Sequence, residues 1–160
     1  MDKKILLIYY SRTWITRKVA EYIKQLIICD VEEILDKKNR SWILWYIWAG
    51  RDASLKKLTE INETKLNPWN YDILIIGTPV RDFTMSSSIR TYIERNKSKL
   101  PSKIIFYCTM SGGWERTTFQ EMTHLCSKSP IWTIYFKTKE IVKNEFQDKL
   151  QKFLEDTIKV

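Results

Sequence analysis

Three hydroxyl residues, Ser11, Thr13 and Thr16, stand close together between an apolar run and an amphipathic one. At a strand-to-helix junction such a cluster surrounds backbone N–H groups that lack intrahelical partners and lie at the positive end of the helix dipole. The chemistry on offer is anion binding, and a phosphate held in this way needs no lysine. The same residue types also serve as ordinary helix caps. Two further segments, 78–85 and 109–113, follow apolar runs, and glycine gathers at them. Gly77, Gly112 and Gly113 are three of the four glycines in the chain. Glycine so placed points to tight turns or to close approach of the backbone to another group.

Other site chemistries are poorly supplied. Cys29, Cys108 and Cys126 are widely spaced, form no CxxC pair and have a single histidine, His124, to join them. That excludes the common zinc patterns and leads us to expect free thiols in a reducing compartment. No nucleophile motif accompanies His124, so a half-exposed position on a helix is expected for it.

The elements that must carry these loops are legible as period changes. Residues 4–10 (KILLIYY), 71–76 (YDILII) and 103–109 (KIIFYCT) are short continuous apolar runs rich in β-formers, the pattern of strands buried on both faces. Residues 30–35 and 131–136 read as two further strands, and the Gly77-Thr78-Pro79 step is expected to end the 71–76 strand. Val19, Ala20, Tyr22, Ile23, Leu26 and Ile27 fall at helix-face spacing. Helices are also expected over 86–96, 114–127 and 140–158. Strands alternating with helices predict a doubly wound α/β/α sandwich on a five-stranded parallel sheet, built as one domain over residues 1–160. In such sheets ligands sit outside the carboxyl ends of the strands, where the three loops lie.

Bulk properties agree with a globular chain: 160 residues, 44% hydrophobic and 29% charged. No apolar run is long enough for a transmembrane helix, and no signal-peptide pattern precedes the first strand, so a cytoplasmic location is expected. The net charge of +8 allows acidic partners. The basic residues are scattered, however, and no nucleic-acid-binding motif accompanies them, so no specific nucleic-acid partner is expected. Residues 42–48 (WILWYIW) hold Trp42, Trp45 and Trp48 and read as an all-round apolar helix. Burial against the sheet, a homodimer interface and a wall beside a planar ligand all fit it.

The segments ILLIYYSRTWITRKVAEYI, YDILIIGTPVRDFTMSSSIRTYIE and IIFYCTMSGGWERTTFQEM resemble, in that order, the phosphate loop and the two flavin-ring loops of short flavodoxins and flavodoxin-like quinone reductases. Residues 38–57 resemble a helical insert of the same group, so the likeness spans nearly the whole chain. It implies a flavodoxin-like fold with strand order 2-1-3-4-5 and FMN as cofactor. Ser11, Arg12, Thr13, Trp14, Ile15 and Thr16 would form the phosphate loop. Pro79, Val80, Arg81, Asp82, Phe83, Thr84 and Met85 would line one side of the ring, and Thr109, Met110, Ser111, Gly112 and Gly113 the other. The implied activity is electron transfer, as a carrier or a small reductase, with a redox partner protein or a small quinone-like substrate.

The chain departs from the family pattern at defined places. Trp14 stands where the phosphate loop usually has glycine, and Ile15 follows it in place of a small polar residue. Arg81 replaces a common aromatic, and Asp82-Phe83 an Ala-Gly-like pair. The basic net charge is opposite to that of flavodoxins that dock on basic partners, so an acidic docking partner is expected here. Two outcomes stay open at Trp14: a side chain turned outward over an intact anion site, or one folded over the loop and filling the phosphate space. The second would make the chain a flavodoxin-fold binding or regulatory module without FMN.

Overall fold

The computed structural model describes residues 3–37 and 58–158. The first apolar run forms β1 (Ile5–Tyr9), every residue of which is buried. It leads into α1 (Trp14–Leu26), whose Val19, Ala20 and Ile23 form a buried stripe, and then β2 (Asp30–Glu33). Next come β3 (Ile73–Arg81), a two-residue β4 (Thr84–Met85) and α2 (Ser87–Asn96). The chain continues through β5 (Lys103–Met110), α3 (Glu115–Cys126), β6 (Trp132–Lys137), α4 (Thr138–Val142) and α5 (Gln147–Ile158).

The order across the sheet is β2-β1-β3-β5-β6, with β4 pairing β3 alone. All neighbours on the main path run parallel, and β3–β4 is antiparallel. This is the expected five-stranded order, with one short hairpin strand added. Because side chains alternate across a strand, each buried strand feeds two cores. Ile5, Leu7 and Tyr9 pack with Val19, Ile23, Ile141, Phe146 and Leu150, against α1, α4 and α5. Leu6 and Ile8 pack on the other face with Ile89, Tyr92, Ile93, Met122 and Cys126, against α2 and α3. Burial at about 1.5–3 kcal/mol for each large apolar side chain is the main stabilising term on both faces.

Two expectations are corrected. The Gly77-Thr78-Pro79 step does not end the third strand, which continues to Arg81 with Gly77, Thr78 and Pro79 opposite Tyr107, Cys108 and Thr109. Pro79 lies past the end of β1, whose last partner is Gly77, so β3 has a free edge there that tolerates a residue with no N–H. The last helix is not continuous over 140–158. Asn144 takes a left-handed conformation with φ 61°. Its N–H reaches the Ile141 carbonyl at 3.2 Å, and the Glu145 N–H reaches that of Glu140 at 2.8 Å. That pair of bonds is a Schellman stop, which ends α4 and redirects the chain into α5. The aromatic segment 42–48 lies outside the described residues.

Candidate functional site

The loops after β1, β3 and β5 meet at the carboxyl edge of the sheet. In the first, Thr13 is the extended N-cap of α1, with no side-chain cap bond and no acidic residue in the first turn. Ser11 takes the capping role instead: its Oγ accepts the Arg17 N–H at 3.2 Å and its hydroxyl turns to the Thr13 carbonyl. The earlier first-turn amides and the Thr13 hydroxyl are thus left to an outside acceptor. Arg12 is exposed. Ile15 is half-buried and packs on the core below α1.

Trp14 has no left-handed backbone; it is the first residue of α1 and 50% exposed. The Lys18 Nζ lies 5.1 Å from the centre of its ring, so the indole runs along the helix surface one turn on. The Trp14 side chain is therefore turned outward. Thr16 points the other way. It is buried, its Oγ1 lies 2.8 Å from that of Thr109, and its carbonyl accepts the Tyr107 hydroxyl at 3.4 Å. Gly77 makes room for this arrangement: a Cβ there would lie 2.0 Å from Cζ of Tyr107. This glycine serves close packing rather than a turn.

Arg17 faces away from the loop. It pairs with Glu33 on β2 at 2.8 Å. The Tyr9 hydroxyl also donates to Glu33, at 3.3 Å, and burial followed by the Glu33 charge pushes the Tyr9 phenol up to about 12.

The second loop is a two-residue hairpin. Arg81 pairs Thr84, with Asp82 (φ 46°) and Phe83 (φ 69°) between them. Successive left-handed residues are what the twist of a type I′ turn demands, usually met by Asn-Gly or Asp-Gly. Here a bulky residue takes the second place and leaves its ring 62% exposed. Arg81 and Asp82 are exposed, Pro79 and Val80 half-buried, and Met85 is buried in the α2–α3 core.

In the third loop Thr109 and Met110 are buried, while Ser111, Gly112 and Gly113 are exposed. The Ser111 and Thr138 hydroxyls lie 3.2 Å apart, tying this loop to the start of α4. The left-handed residue is Trp114 (φ 78°), the N-cap of α3, and neither glycine has positive φ. The Trp114 ring lies 4.7 Å from that of Phe83 at 67°, an edge-on contact that bridges the second and third loops.

Sequence reasoning placed Trp114 only at the start of a helix and missed it as a site residue. An aromatic directly after Gly112-Gly113 was the available signal. Arg90 and Glu121 were missed too. They form a 2.9 Å ion pair that also binds Thr84, and only the packing of α2 on α3 brings them together.

Thiol and metal chemistry find little support. All three cysteines are free. Burial pushes the Cys29 thiol up to about 11 and that of Cys126 up to about 12, and it raises Cys108 as well, so all three stay protonated at neutral pH. Among the described residues no group of His, Cys, Asp and Glu could hold a metal ion. His124 is exposed on α3. No described helix is long and apolar enough to cross a membrane.

Neither protein-family models nor curated proteins give a match to the chain. Solved structures do. A flavoprotein from Lactobacillus acidophilus NCFM, crystallised in complex with FMN, is 22% identical with a TM-score of 0.67, over 88% of this chain and 97% of that one. A provisionally assigned flavoprotein from Bacteroides eggerthii DSM 20697 is 21% identical with a TM-score of 0.72, over 99% of both chains. Two-electron reduced Megasphaera elsdenii flavodoxin is 13% identical with a TM-score of 0.54, over 82% of this chain and 85% of its own. With the β2-β1-β3-β5-β6 parallel sheet and helices on both faces, these likenesses establish that the chain has the flavodoxin-like fold.

Proposed function

We propose that this protein binds FMN at the three loops and works as a flavin-dependent redox protein, either an electron carrier or a small reductase. One observation carries the reading. At the carboxyl edge of a flavodoxin-like sheet, an anion-competent helix N-terminus lies on the loop after β1, and an aromatic pair bridges the loops after β3 and β5. Phosphate and planar ring are the two recognition elements of FMN, and the residues present fit both. The Thr13 hydroxyl and the first-turn amides of α1 would hold the phosphate, with Arg12 adding positive charge. Phe83 and Trp114 would offer the ring an apolar surface, and Arg81 a cation beside it. Bound flavin supplies the electron-transfer chemistry; the chain's own part is to bind, orient and exclude water.

The basic net charge supports an acidic partner protein as the other half of the redox couple, with a small quinone-like substrate as the alternative if the protein is a reductase. A second reading, a flavodoxin-fold module without FMN, draws on Thr16, whose hydroxyl is engaged by Thr109 and not offered to the loop.

Titration of the ligand-free protein with FMN, followed by flavin and tryptophan fluorescence, separates the two. Saturable binding is expected in the unmodified chain. Trp14→Gly should change the affinity by less than about threefold, because the indole lies outside the loop. Binding by Trp14→Gly alone would instead mean a site shut by the indole and would favour the second reading.

A further inference from the structure

Arg90 and Glu121 form a part-buried ion pair behind the β3–β4 hairpin. Arg90 lies on α2 with its side chain 8% exposed, and Glu121 lies on α3 with its side chain 22% exposed. The Arg90 Nη2 donates to Glu121 Oε2 at 2.9 Å and to Thr84 Oγ1 at 3.2 Å, and the Thr84 hydroxyl also donates to Glu121. Thr84 follows Phe83 directly, and Glu121 sits two helical turns along α3 from Trp114. The hairpin tip is therefore tied to α3 at two points: ring to ring at its end, and hydroxyl to carboxylate just behind.

Stability alone does not account for this. Arg90 is buried and Glu121 partly so, and such a pair gains little over a well-packed apolar pair, since desolvation offsets the attraction. The left-handed Asp82 and Phe83 add a backbone cost at the same tip. Neither feature is a source of stability, and both lie beside the Phe83 ring.

We propose that Arg90 and Glu121 are positioning residues that, through Thr84, hold Phe83 against Trp114, and that this wall makes the site selective for a planar ring and not for phosphate alone. The inference rests on the flavin reading and adds to it the residues that set ring recognition. Both Arg90 contacts leave from one nitrogen, Nη2, so the reach and planar setting of the guanidinium, and not a two-pronged grip, bring carboxylate and hydroxyl onto a common donor.

The test compares the unmodified protein with the Arg90→Met/Glu121→Met double variant, Trp114→Ala, their combination, and Arg90→Lys. Each is titrated with FMN and with inorganic phosphate, and the ring-current shifts of the Phe83 protons are read by NMR without ligand. The double variant is expected to fold with a Tm at or above that of the unmodified chain, because an apolar pair of similar volume replaces the ions. It should bind FMN about tenfold more weakly, hold inorganic phosphate as before, and lose the Phe83 shift. Trp114→Ala should lose a similar factor, and the combination should lose no more than either alone, the signature of two changes acting on one contact. Arg90→Lys keeps the charge on a shorter side chain and should weaken FMN by less than the double variant does.

Unchanged FMN binding with the Phe83 shift retained overturns the proposal. So do losses that multiply in the combination, and so does weakening of phosphate and FMN together. Should the unmodified protein not bind FMN at all, the flavin reading falls, and the Phe83 shift alone decides whether the pair positions the wall.

Discussion

Tyr107 shows how much of this site depends on single side chains far from any loop. Its ring fills the space that a side chain at Gly77 would occupy, and its hydroxyl reaches the first turn of α1. Gly77→Ala forces a methyl to within 2.0 Å of a fully buried aromatic ring. The expected cost is about 1–3 kcal/mol or somewhat more, read from the urea midpoint. The loss should extend to phosphate affinity, because a displaced Tyr107 no longer supports Thr16. Gly112→Ala makes the contrast: a Cβ there meets nothing within 4 Å, and its stability should change by no more than about 0.5 kcal/mol.

Two of the turns with left-handed residues behave differently at the scale of the element. Asn144 ends α4 in a Schellman stop and carries no apolar ring, so its strain is purely architectural. Asn144→Ala should lose about 1 kcal/mol in chemical denaturation, since alanine lacks asparagine's tolerance of that conformation. The β3–β4 hairpin is strained for a different end. Phe83→Gly turns Asp82-Phe83 into Asp-Gly, a pair suited to a type I′ turn, and removes the Phe83–Trp114 contact. We expect stability to rise by about 0.5–1 kcal/mol while FMN affinity falls, a trade that marks strain kept for binding. Calorimetry and FMN titration on the same preparation check both directions.

Across the whole molecule, buried tyrosines set an alkaline limit. The Tyr9 phenol is pushed from 10.0 up to about 12 in the folded chain, and burial raises Tyr92 and Tyr107 as well. Above pH 10 the unfolded chain releases phenolic protons that the folded chain retains, so unfolding becomes easier as pH rises. Stability from Tyr9 is complete below pH 10 and falls between pH 10 and 12, by about 2–3 kcal/mol in all. Urea midpoints at pH 9 and 11 measure the drop, and Tyr9→Phe should reduce it while Tyr92 and Tyr107 keep the remainder. The sheet edges also matter at this scale. On β6, Lys149 donates to the Tyr135 carbonyl at 2.7 Å and lies 4.5 Å from the centre of its ring, which places a charge on an exposed strand.

Much of this architecture is local and was legible in the residues. Buried parallel strands announce themselves as short apolar runs because both faces are covered, and the 3.6-residue stripe of α1 is equally plain. The strands, the helices and the places of the three loops followed from them, whereas the strand order was implied only by the family resemblance. What the sequence could not supply depends on partners distant along the chain. The continuation of β3 through Pro79 depends on where β1 stops, and the break at Asn144 on a left-handed residue that asparagine adopts only in some settings. Thr16 looks like a loop ligand by spacing, yet its hydroxyl meets Thr109 across the β5 edge. Arg90, Glu121 and Thr84 carry no shared motif, because a contact joining two helices and a hairpin has no sequence period. Helix and strand identity is written in nearest-neighbour patterns; which side chains converge at the carboxyl edge is settled only when the sheet brings its loops together.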